Sequence, residues 1–391
     1  MITKKTISLF LCFALILSAL FACAAPDEDD VKKIEDEPVI ELPEPEPPVI
    51  DTPIEEFPTG SIDFETAITA FPRDTVMIRA GDLTITWAEL YVFLFRDVQE
   101  FAQYSYEGID WEEEVSGITL AEIILTYSSE RAVTFLLFEY GMTALDLTIS
   151  DEDMLEHTEF IDEMIEVYGG KEELSLALRE SNGFYDFDVF ERLLFIEFTR
   201  DLILKELYGD GGDLLDEEKI VEYAEDNEFM MAKHILIASE DNDSALEETE
   251  DILEQLRGKI NDKDFSDFFD SMMEEFSEDP GKASSPEGYL FQFNDMVPEF
   301  SEASVELEIG ELSEIVKTDY GYHIILRIPV NFDSVPISAA FTGDSRTLRQ
   351  RATIDDFEKL MFEWHEELNP EFTREHESID IATIFKWQED Q

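Results

Sequence analysis

The apolar pattern of the 391-residue chain predicts an α+β protein with more than one domain. Two observations carry this. From about residue 73 to 227, capped amphipathic helices follow one another after a short hairpin. Residues 228–330 instead read as a strand, two helices, a short third helix and two late strands, a small α+β domain of about 100 residues. A helical tail lies in the remaining segment, 331–391.

The composition narrows the function. Acidic residues number 94 against 27 basic ones, for a formal net charge of −67. Such a surface repels nucleic acid and bare anionic membranes, so no nucleic-acid partner is expected. An apolar fraction of 44%, with 31 phenylalanines, excludes a wholly disordered chain.

Residues 1–22 read as a signal peptide. Lys4 and Lys5 precede an apolar run, Ile7 to Leu20, that is short for a membrane span. The run closes on Leu20-Phe21-Ala22-Cys23, which looks like a bacterial lipobox with a bulky Phe21. Cleavage before Cys23 would leave one cysteine, acylated, and no disulfide within the chain. Lipidation at Cys23 and an extracytoplasmic, membrane-anchored location are therefore expected. Residues 23–72 read as a tether: eight prolines and many carboxylates lie between residues 24 and 60, too few apolar groups to offset the entropy of ordering.

The helical domain, 73–227, opens with a hairpin over Val76–Ile85. Thr86-Trp87-Ala88-Glu89 then supplies a capping box, followed by Leu90, Phe93, Leu94 and Val98 on one helix face. Thr119 with Glu122 and Ser150 with Asp153 repeat the signature. Gly169-Gly170, Gly183 and Gly209 read as stops, and Asp216 opens a helix running to about Asn227.

In the next domain, Ala232-Lys233-His234-Ile235-Leu236-Ile237 and Gly321-Tyr322-His323-Ile324-Ile325-Leu326 read as strands buried on both faces. Ser244 with Glu247 reads as a helix cap, before helices carrying Leu253 and Leu256, then Phe265, Phe268 and Met272. Glu278-Asp279-Pro280-Gly281, Gly288-Tyr289-Leu290-Phe291 and Met296-Val297-Pro298-Glu299-Phe300 lie in between. With this set in this order, 228–330 resembles the parvulin family of peptidyl-prolyl isomerases. The preceding helices, with their strand–Gly–strand turn and Thr-x-x-Glu-Leu start, resemble the chaperone domain of extracytoplasmic foldases of the SurA and PrsA type.

The resemblance implies a helical chaperone domain into which the parvulin domain is inserted, with 331–391 returning to pack on the helices. It implies that Leu290, Met296 and Phe300 line a proline socket, and that His234 and His323 meet across adjacent strands. Thr318 would join their hydrogen bonds, and Asp279 holds a place where parvulins carry Cys or Asp. The histidines then organise the site rather than activate a nucleophile. The implied activity is cis-trans isomerisation of X-Pro bonds in unfolded secreted proteins. No cofactor is implied, and His157, His365 and His376 show no metal-ligand spacing.

Two departures stand out. Many parvulins carry Gly-Gly-Asp-Leu-Gly where this chain has Glu287-Gly288-Tyr289-Leu290-Phe291, placing Phe291 where a flexible residue is expected. A non-catalytic chaperone with a degenerate parvulin domain is the alternative this suggests. The segment Ala238–Asp243 is acidic, which opposes recognition of a phosphorylated substrate.

Overall fold

The computed structural model describes residues 60–102, 108–238 and 243–389. Cys23, the lipobox and the tether up to residue 59 lie outside the described residues. Two compact units are present: one holds residues up to 201 together with those from 363 onward, the other is Leu202–Phe362.

In the first unit, β1 spans Gly60–Ile62, β2 Val76–Ala80 and β3 Leu83–Thr86. β2 and β3 form the expected hairpin. Glu89 accepts from both the backbone N–H and the hydroxyl of Thr86, each at 2.7 Å, and so starts the helix Trp87–Ala102. That helix buries Leu90, Phe93, Leu94 and Val98. The small ribbon β4, Glu114–Val115, and β5, Ile118–Thr119, leads into the helix Leu120–Ala144. Complete capping boxes stand at Thr119/Glu122 and Ser150/Asp153, the second opening the helix Asp151–Val167. The helices Lys171–Asn182 and Phe187–Tyr208 follow, ending at Gly183 and Gly209.

The second unit contains the helix Glu217–Asp226, capped by Asp216, and a four-stranded sheet. Its strands are β6, Met230–Ala238; β7, Tyr289–Phe291; β8, Val316–Thr318; and β9, Gly321–Ile328. The order across the sheet is β7-β6-β9-β8, with every neighbour antiparallel. β6 and β9 pair from Met231↔Ile328 to Ala238↔Gly321, which satisfies the backbone of the two most buried strands. Because strand side chains alternate, each strand serves two cores. Ile235, Ile237, Ile324 and Leu326 face the helices Asp243–Lys259 and Phe265–Phe276. Met230, Ala232 and Ile325 face Phe291 and Phe300, the latter on the short helix Pro298–Glu306.

The cap expected at Ser244 is placed differently. The helix already begins at Asp243, so Ser244 lies within its first turn. The helix Leu348–Leu368 follows.

The C-terminal residues 369–389 belong to the first unit. There β10, Glu371–Phe372, pairs with β2, and β11, Trp387–Glu389, pairs with β1. The Trp111 indole donates to the Phe385 carbonyl at 3.0 Å. Among the described residues, no helix is long and apolar enough to cross a membrane.

Phe269 is fully buried at the centre of the helix-facing core of the sheet. Phe269→Ala is expected to cost about 3–5 kcal/mol through lost burial and an unfilled cavity. A lower urea midpoint at unchanged slope would report it.

Candidate active site

The pairing of β6 with β9 builds the polar half of the site. His234 lies opposite Ile325, and His323 opposite Leu236, so the two histidines are diagonal neighbours on one sheet face. Their rings stack 5.2 Å apart, and the two Nδ1 atoms lie 3.1 Å apart. Both are buried. His234 Nε2 lies 3.0 Å from Asp279 Oδ2, and His323 Nε2 lies 2.8 Å from Thr318 Oγ1. Thr318 Oγ1 also accepts the Tyr320 backbone N–H at 3.1 Å.

Asp279 is brought to His234 by the turn after the helix Phe265–Phe276. It caps the 3-10 turn Pro280–Ala283, with Oδ1 accepting the Gly281 N–H at 3.1 Å. Burial pushes its carboxyl up, but the hydrogen bonds from His234, Tyr289 and Gly281 outweigh that and hold it at about 2. It is therefore an anion that only accepts. One arrangement of protons then satisfies every contact with both rings neutral. His234 Nε2–H donates to Asp279, His323 Nδ1–H donates to His234 Nδ1, and Thr318 O–H donates to His323 Nε2.

The apolar half is the cluster of Met230, Ala232, Phe291, Phe300 and Ile325, with Met296 and Tyr289 packed against it. Phe300 joins the halves. Its ring meets His234 edge-on at 5.2 Å, His323 at 5.6 Å and Phe291 at 5.7 Å.

Six of the seven residues named from the sequence thus assemble: His234, Asp279, Thr318 and His323 in one hydrogen-bonded chain, Met296 and Phe300 in the apolar cluster. Leu290 does not join them. It is buried on β7 opposite Met231, and alternation turns it away from the face shared by Tyr289 and Phe291. Phe291 is likewise no loop residue. It is fully buried, paired with Met230, and part of the apolar cluster. The three residues Tyr289-Leu290-Phe291 are too few to reveal a strand period, so no sequence signal separated the two faces.

Gly288 explains how β7 gets so close to β6. Its φ of 104° is left-handed, and an added Cβ would lie 2.8 Å from the Ala232 carbonyl oxygen.

Among the described residues, no group of three His, Cys, Asp or Glu is arranged to hold a metal ion. Among the described residues, the hydrogen-bond partners of the histidine pair are Asp279 and Thr318.

The buried imidazole makes stability pH-dependent. Burial pushes His323 down to about 4 from an ordinary 6.5, against the pull of Asp279. Between those values the unfolded chain binds a proton that the folded one does not, so stability falls as pH drops from 6.5 to 4. Asp279 acts lower: its contribution, full above 3.8, is lost as pH falls through about 2. Denaturant titrations across pH 4 to 6.5 should show a His323-dependent loss on the order of 3 kcal/mol, with His323→Asn flattening the slope.

Residues 234–328 match the model of the PPIC-type PPIASE domain. Foldase protein PrsA of Halalkalibacterium halodurans is 36% identical over 129 residues, 32% of this chain and 35% of that protein. The PrsA of Caldanaerobacter subterraneus is 27% identical over 264 residues, 66% of this chain and 74% of that protein. The match thus spans about a third of the first relative and about three quarters of the second. The crystal structure of PrsA from Bacillus subtilis, 21% identical, aligns with 70% of this chain and 93% of its own, at a TM-score of 0.24. Residues 234–328, which carry the histidine pair, Asp279, Thr318, Met296, Phe291 and Phe300, thus match the PPIC-type PPIASE domain.

Proposed function

We propose that the protein is a foldase, with an isomerase domain that rotates X-Pro bonds in unfolded polypeptides and a helical unit that binds them as a chaperone. The observation that carries the isomerase reading is the junction at Phe300, where a buried apolar cluster abuts a fully hydrogen-bonded polar chain.

Rotation about an X-Pro bond must lose amide resonance, at a barrier of about 18–20 kcal/mol. No covalent bond to the protein is needed. Met296, backed by the buried rings of Phe291 and Phe300, offers an apolar seat for the pyrrolidine ring, which strips water from the amide. The neighbouring imidazoles present fixed dipoles to the twisted amide, and their orientation needs no rearrangement during rotation. Catalysis follows to the extent that these contacts favour the twisted state over the planar one.

The alternative of a degenerate, binding-only domain rested on Phe291 as a loop residue; Phe291 instead packs behind the apolar seat, and turnover distinguishes the two readings.

A protease-coupled assay on a proline peptide tests the activity. His234→Ala and Met296→Ala are each expected to lower kcat/KM about tenfold or more with the fold intact. Undiminished turnover in both would remove the site assignment.

The clients would be secreted proteins, met on the outer face of a membrane to which acylated Cys23 ties the chain. The carboxylate-rich segment up to residue 59 would hold the folded units off the bilayer. Residues 60–72, expected from the sequence to belong to the tether, are instead folded, with β1 paired to β11 and Ile68 buried. Cys23→Ser is expected to move the protein from the membrane fraction to the soluble one, and retention on the membrane would refute the anchor.

A further inference from the structure

Tyr289 was not among the residues that the sequence singled out, yet it touches three parts of the site. Its hydroxyl donates to Asp279 Oδ2 at 2.5 Å, the same oxygen that receives His234 Nε2–H. Its ring meets His234 edge-on at 5.5 Å and packs on the apolar cluster. The phenol stays protonated, because burial and the adjoining carboxylate both push it up. We propose that Tyr289 is a positioning residue for the isomerase reaction: its phenol clamps Asp279 as an anion and thereby sets the direction of the histidine hydrogen-bond chain. This rests on the isomerase reading above.

The argument runs through proton inventory. Asp279 accepts three donors: Gly281 N–H on Oδ1, and Tyr289 and His234 on Oδ2. A carboxylate with three donors is held in its charged form and in one rotamer. Without the phenol, Oδ2 keeps only His234, and the carboxylate becomes more basic. A proton entering there would turn Asp279 into a donor and reverse the demand on His234, His323 and Thr318 in turn.

Other charges near Asp279 are already committed. Lys282, from the same turn, donates to the carbonyls of Ser277 and Glu274 at 2.7 and 3.1 Å. Glu278 accepts the Ala238 N–H at 2.7 Å. From β9, His323 reaches Asp279 only through His234. The phenol from β7 thus joins the His234 imidazole as a side-chain donor that reaches Asp279 directly.

The backbone is shaped around this contact. A Cβ on Gly281 would lie 2.1 Å from the Tyr289 hydroxyl and 3.1 Å from the carbon that bears it. Gly281 has no left-handed φ, so an alanine there meets no backbone strain. Its only conflict at that range is with the phenol.

Two variants of the full chain therefore break one contact from opposite sides. Tyr289→Phe keeps the ring and its packing on His234 but removes the donor. Gly281→Ala keeps the phenol but forces it off Asp279. The readouts are the NMR titration of the Asp279 carboxyl carbon and the separate kcat and KM on a proline peptide. In each variant the Asp279 titration is expected to rise from about 2 toward 3.8, by about one pH unit. At neutral pH, where Asp279 is ionised in every variant, kcat should fall several-fold through the loosened carboxylate while KM holds. The double variant should lose no more than the larger single one. An unmoved Asp279 titration in either variant, or losses that add in the double, would overturn the clamp. Wild-type protein without isomerase turnover would defeat the functional reading, while the carboxyl titration would still decide the clamp.

Discussion

The antiparallel pairing of β6 and β9 is the constraint on which the second unit depends. It places a hydrogen-bonded ladder at the centre of the sheet and buries both strands on two faces. The same register sets His234 and His323 diagonally across one face. A slip of one residue would turn each histidine into the helix-facing core, where Ile235 and Ile324 now pack. The fold and the site are thus one decision about register.

Burying two imidazoles and a carboxylate beside Phe300 is costly unless every polar atom is matched. Here it is matched by a chain running from the Tyr320 backbone N–H through Thr318, His323 and His234 to Asp279. The negative end is stabilised by three donors, and the uncharged rings avoid the greater cost of a buried cation. The arrangement is stiff because each group has one role left once its neighbour's is assigned. Such stiffness suits an isomerase, whose contribution is a prearranged environment rather than a bond.

Much of this was legible in the chain. Thr119/Glu122, Ser150/Asp153 and Asp216 cap helices where their spacing said they would, since a cap is a local contact within one turn. His234, Asp279, Thr318 and His323 were identifiable because each sits in its own short motif. Leu290 was misplaced, Phe291 was read as a loop residue and Tyr289 was given no role, all for one reason. A three-residue strand leaves too short a pattern to reveal its period, and the flanking glycine reads as loop.

By itself, the sequence determined the local elements and the inventory of site residues, because capping, alternation and chain stops depend on neighbours within a few positions. Tertiary structure alone decided which face of β7 meets the histidines. It also decided that the Tyr289 phenol reaches Asp279 across the gap left by Gly281, and that Phe300 links the apolar and polar halves. Those contacts join residues that only the β7-β6-β9 pairing and the packed helix Pro298–Glu306 bring together, and no local pattern encodes them.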